Sequence, residues 1–167
     1  MPETKLLVFE KTVSYAGLLS VMGFYRHLRN WLEEHGYPPY EQNHEEQVFE
    51  DGKEIFVNLQ GNKKLSDFAR VLWETKLEFL KITDERVELD GKKVRMNKGS
   101  VKVTSTIVLM TDWQKTFEQN PFQYFLRVVL DRFVFKNYIS RAEKQAKKDY
   151  SRFEDEMKRY LNLQEFR

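Results

Sequence analysis

Histidine and carboxylate come closest to a recognisable catalytic pattern at His44-Glu45-Glu46-Gln47-Val48. A His-Glu-x-x-His stretch on a helix holds zinc with both imidazoles and uses its glutamate as general base. Val48 stands where the second imidazole belongs, and one histidine cannot hold a catalytic zinc. His27, Trp31 and His35 recur at helical spacing, which puts both imidazoles on one face. At two turns apart they need a third element to share an ion, so a structural or solvated role is the simpler reading. Glu33/Glu34, Glu45/Glu46 and Glu85/Glu88 have no partner geometry and read as solvated surface. No phosphate-cradling Gly-rich loop, Gly-x-Ser-x-Gly elbow or dinucleotide fingerprint occurs. The chain has no cysteine, which excludes a thiol nucleophile and thiolate ligands. The expectation is a protein without catalytic residues, cofactor or metal.

Positive charge offers a binding chemistry instead. Lys92, Lys93, Arg95, Lys98 and Lys102 cluster around one hairpin, and Lys144, Lys147, Lys148 and Arg152 on the last helix. Such groups contact phosphates and make affinity salt-dependent. Nearby Glu85, Glu88 and Asp90 dilute the hairpin, and no interleaved aromatics supply a stacking platform. Net charge is only +2, short of a dedicated nucleic-acid binder. RNA or DNA binding through residues 92–102 is therefore the alternative reading.

The 167 residues, 41% hydrophobic and 32% charged, are expected to form one globular domain with a proper core. The apolar run Leu6 to Phe9 is too short for a signal peptide. The longest uncharged segment, Thr12 to Tyr25, falls short of the roughly 18–20 residues that span a bilayer. A soluble, cytoplasmic protein without a membrane span is expected.

The elements follow from periodicity. Leu6 to Val13 reads as a strand, and Leu18, Met22, Tyr25, Leu28 or Arg29, and Leu32 as one helical face. Gly36 closes that helix and Pro38-Pro39 prevents its resumption. Strands at 41–50 and 54–59 flank Asp51-Gly52, a hairpin dipeptide. Val71, Trp73, Thr75, Leu77 and Phe79 alternate with mostly polar residues, the period of a half-buried strand, and Leu65, Phe68, Ala69, Leu72 and Lys76 offer a less favoured helical reading. Strands at 86–89 and 92–97 surround Asp90-Gly91, and Lys98-Gly99 is expected to turn the chain into a strand at 101–113. There Val101, Val103, Ser105, Ile107, Leu109, Thr111 and Trp113 point inward.

Pro121 to Ile139 is expected to be a helix with two apolar faces. Leu126, Val129, Leu130 and Phe133 form one; Tyr124, Val128, Phe135 and Ile139 form the other. Ser140-Arg141-Ala142-Glu143 matches a capping box, so a new helix is expected at Arg141, with one long bent helix as the alternative. Its stripe is Ala142, Ala146, Tyr150, Phe153, Met157 and Leu161. The sum is an α+β fold. A curved antiparallel sheet of about six strands is covered on one face by an N-terminal helix and one or two C-terminal helices.

This element order resembles the helix-grip arrangement of START and Bet v1-like proteins, which implies an apolar ligand held between sheet and C-terminal helix. Residues 31–37 and the Asp90-Gly91…Lys98-Gly99 hairpin are also similar to small archaeal-type proteins of unknown function, which implies no activity. Apolar residues in surplus carry the leading functional expectation, a non-enzymatic binding or adaptor domain. Leu18, Met22, Tyr25, Trp73, Leu77, Phe79, Tyr124, Val128 and Phe135 would contact a lipophilic small molecule or a protein partner, a second copy included. Ordinary internal packing of both helix faces competes with either use.

Overall fold

The computed structural model describes residues 4–66, 69–111 and 135–165. Strand β1 (Thr4–Leu19) leads into helix α1 (Val21–Glu34). Strands β2 (Pro39–Phe49), β3 (Gly52–Lys64), β4 (Ala69–Leu89) and β5 (Lys92–Thr111) follow, and helix α2 is Phe135–Glu165. The strands make one antiparallel sheet in the order β1-β5-β4-β3-β2, open at β1 and β2. The architecture is α+β. No described helix is long and apolar enough to cross a membrane.

Among the described residues five strands stand where about six were expected, because the seven segments with strand periodicity include two pairs that are continuous. β4 passes through an irregularity at Lys81 and Ile82 rather than ending near Phe79. β5 passes through Lys98-Gly99 without turning, since Leu18 and Gly17 of β1 pair with those two residues. A second neighbour thus keeps extended a dipeptide that reads locally as a turn. The Asp90-Gly91 hairpin does form, with both residues at positive φ, as a tight two-residue turn requires.

The same pairing corrects the start of α1. β1 runs on to Leu19, so Leu18 lies in a strand, and Ser20 caps the helix by accepting from the Gly23 N–H at 3.1 Å. The buried face is Phe24, Leu28, Trp31 and Leu32, rotated from the expected one, and Met22 is 63% exposed. The helix ends as expected, with Gly36 at φ 85. The Tyr37 N–H donates to Leu32 O at 2.8 Å, tying off a carbonyl of the last turn.

α2 runs through Ser140 without a break, so no new helix starts at Arg141. The capping-box residues are present, but Ser140 is an exposed helical position. The expected stripe of Ala142, Ala146, Tyr150, Phe153, Met157 and Leu161 is buried throughout. Its four large members contribute about 1.5–3 kcal/mol each by burial. Most of the expected two-faced helix, Tyr124 and Val128 included, lies outside the described residues.

One core joins α1, α2 and the inner sheet face. Three cross-strand rows, from β3 to β1, define its floor: Gly61–Trp73–Ile107–Phe9, Leu59–Thr75–Ser105–Lys11 and Val57–Leu77–Val103–Val13. Gly61 is required where it stands, because a side chain there would come within 2.8 Å of the Tyr37 carbonyl oxygen. That lets the segment after α1 lie flat beside Trp73.

Candidate functional site

Trp73 is the centre of the core. Its ring meets Phe153 at 5.2 Å and Trp31 at 5.8 Å, and Tyr37 packs edge-on at 4.9 Å. α2, α1 and the segment after α1 therefore all anchor on one indole. Aromatic pairs of this kind add about 0.5–1.5 kcal/mol each beyond burial.

Two polar side chains follow immediately on this apolar floor. Thr75 and Ser105, each 1% exposed, sit opposite one another on β4 and β5. Thr75 Oγ1, Ser105 Oγ and Trp73 Nε1 are all buried without a hydrogen-bond partner among the described residues. Leaving such a group unsatisfied costs about 1–3 kcal/mol. Three of them on neighbouring rows of one face make the clearest chemical anomaly in the molecule. Asn62 Oδ1 and His27 Nε2 are also orphaned, but neither belongs to these rows.

A second buried polar group behaves in the opposite way. Asp149 on α2, 3% exposed, accepts from the Tyr37 hydroxyl at 2.9 Å and from Gln145 Nε2 at 2.9 Å. Lys63 Nζ on β3 lies 3.5 Å from Oδ2, the oxygen that also accepts from Tyr37, and donates to the His35 carbonyl at 3.1 Å. The carboxylate thus ties α2 to β3 and to the end of α1. Burial, and then the Asp149 charge, push the Tyr37 phenol well above its ordinary range. The Tyr150 phenol is pushed up to about 12 by burial, with Glu154 adding to it. Both phenols therefore remain protonated donors at neutral pH.

No family model matches the chain. No curated protein matches it in sequence either.

The expected contact residues divide between core and surface. Trp73, Leu77 and Phe79 are buried together on the inner face, where Phe79 meets Phe24 of α1. Tyr25 packs at the edge of the core, and its hydroxyl donates to Glu41, while Arg29 Nη1 donates to Tyr25 at 3.2 Å. Burial and this glutamate raise the Tyr25 phenol, and the same hydrogen bond lowers the Glu41 carboxyl. Leu18 is half-buried in β1 and Met22 points to solvent, so the structure does not bring these two to the floor. Phe135 opens α2.

The basic residues do not form one surface. Lys102 Nζ lies 3.3 Å from Glu78, Lys98 Nζ 3.6 Å from Glu85, and Arg95 Nη2 3.2 Å from Asp84. Alternation along β5 puts Lys93 and Arg95 on the face opposite Lys92, Lys98 and Lys102. His27 of α1 and His35 at its C-cap are each stacked on an aromatic ring, His27 on Tyr160 at 4.5 Å and His35 on Trp31 at 3.8 Å. His27 Nε2 lies 3.2 Å from Glu156 Oε1, at ion-pair distance but outside hydrogen-bonding geometry. They line a polar surface groove of about 510 Å³ between α1 and α2, to which neither Thr75 nor Ser105 contributes.

Sequence reasoning placed Thr75 and Ser105 inward but gave them no role, and missed Tyr37, Lys63 and Asp149. Hydroxyls interrupting an inward apolar series were the available signal for the first pair. Nothing local marks the second group, whose members lie far apart in the chain.

Proposed function

We propose that the chain is a non-enzymatic binding domain that holds a small, mainly apolar molecule between the inner sheet face and the helices packed on it. The observation that carries this reading is the group of three buried, unpartnered polar atoms on Trp73, Thr75 and Ser105. A ligand site is typically apolar with a few convergent polar groups that fix orientation. A core formed for packing alone favours apolar side chains at such positions, because each orphan weakens it. The element order, with one helix between β1 and β2 and another after β5, supports a helix-grip-like reading of the same site.

Native mass spectrometry of the protein, followed by organic extraction and analysis of the extract, tests this. Adduct mass on a folded monomer, matched by an apolar compound in the extract, is the expected result. A protein that carries no such compound and also fails to bind long-chain alkanes or their derivatives overturns the reading.

A further inference from the structure

We infer that the bound molecule carries a neutral hydrogen-bond acceptor of the carbonyl class, seated on Thr75 Oγ1, Ser105 Oγ and Trp73 Nε1. This rests on the apolar-ligand reading above and adds the chemistry of the head group. An indole N–H can only donate, so whatever meets Trp73 must accept. Thr75 and Ser105 are in direct register across β4 and β5, which puts their Cβ atoms about 4.5–5.5 Å apart. Two hydroxyls at that spacing can donate to the two lone pairs of one oxygen, with the indole approaching from the next row. An ammonium head could donate to both hydroxyl oxygens but would leave the indole N–H unmet and bring a charge into the core.

Among the described residues, charge weighs against the other common acceptor. A carboxylate taken into this core needs a cation to offset its desolvation. Lys63 is engaged by Asp149 and the His35 carbonyl. Lys11 ends the Thr75–Ser105 row, but its ammonium lies over the Tyr150 ring, 5.6 Å from the centroid, on an exposed residue. Asp149, beside Tyr150 on α2, adds negative charge to the same region. A ketone, ester or amide oxygen satisfies the donors without introducing an ion.

Four probes of matched length separate the outcomes: dodecane, 2-dodecanone, dodecylamine and dodecanoate, titrated against the full chain and its Thr75→Val/Ser105→Ala double variant. The ketone is expected to bind about tenfold more tightly than the other three, as two or three modest hydrogen bonds allow. The double variant should lose that preference, its ketone affinity falling to that of dodecane. The infrared stretch of a carbon-13-labelled ketone should shift to lower frequency on binding to the original chain only. Equal binding of ketone and alkane, or a preference that survives in the double variant, overturns the head-group inference and leaves the apolar-ligand reading standing. Failure of all four probes to bind overturns both. Because the two substitutions remove orphaned hydroxyls, the variant is expected to fold at least as stably, and thermal melting checks that directly.

Discussion

Three hydroxyl residues in succession on β5 meet opposite fates on the two faces of the sheet. Thr104 and Thr106 face outward, where Thr104 shares a 3.1 Å hydrogen bond with Thr12 and Thr106 donates to Glu10 at 2.9 Å. Ser105, between them, faces inward and is orphaned beside Thr75. The outer face is a polar ladder in which Gln60 donates to Glu74 and Lys102 pairs with Glu78. There a missing partner is replaced by water at little cost. On the inner face the same chemistry is expensive, so its presence carries information that the outer ladder does not. The inner face also separates two kinds of buried polar group: Asp149, fully engaged and structural, and the Thr75–Ser105 pair, unengaged.

Alkali should break the inner face most completely. Tyr37 and Tyr150 have folded pKa values raised above the ordinary phenol value of about 10. The unfolded chain therefore releases its phenolic protons first. Stability is intact below pH about 10 and falls as pH rises, with the Tyr150 contribution lost through about 12. Urea midpoints at rising alkaline pH should decline, with a burst of tyrosinate absorbance accompanying unfolding. Titration of every tyrosine near the ordinary value in a protein that stays folded would contradict this.

Trp73→Ala comes next, with a loss of about 3–5 kcal/mol, because a large cavity opens where three elements converge. A urea melt measures it, and a loss below about 1 kcal/mol would remove Trp73 from the centre of the core. Asp149→Ala should cost about 2 kcal/mol, less than for a fully buried pair because Lys63 is part-exposed. Thr75→Val should move the other way, stabilising the ligand-free protein by about 1 kcal/mol, since it removes an orphan while keeping shape. Thr104→Val on the outer face should change stability by less than about 0.5 kcal/mol. If Thr75→Val and Thr104→Val behave alike, the contrast between the faces has no energetic basis.

Much of the architecture was legible in periodicity. The alternation from Val71 to Phe79, the inward series from Val101 to Leu109 and the α2 stripe from Ala142 to Leu161 all lie on the faces their spacing implies. The misreadings share a cause. Leu18 and Lys98-Gly99 were read from near neighbours, whereas their conformation follows from pairing between β1 and β5, about eighty residues apart in sequence. Ser140 shows the same limit, since a cap-forming residue sits inside a helix that runs from Phe135 to Glu165. The candidate site was half visible. Trp73, Leu77 and Phe79 were named as contact residues, but that Thr75 and Ser105 lie directly opposite became apparent only with the strand register.

The sequence by itself determined which side chains would seek the interior and the local form that carries them. Apolar spacing at two and at three to four residues is a property of neighbours along the chain. Tertiary structure alone decided which polar residues would be buried with partners and which without. Whether Asp149 finds Tyr37 and Lys63, or Ser105 finds nothing, depends on distant strands and helices meeting at one place. The cost of burying a polar group is set at that meeting.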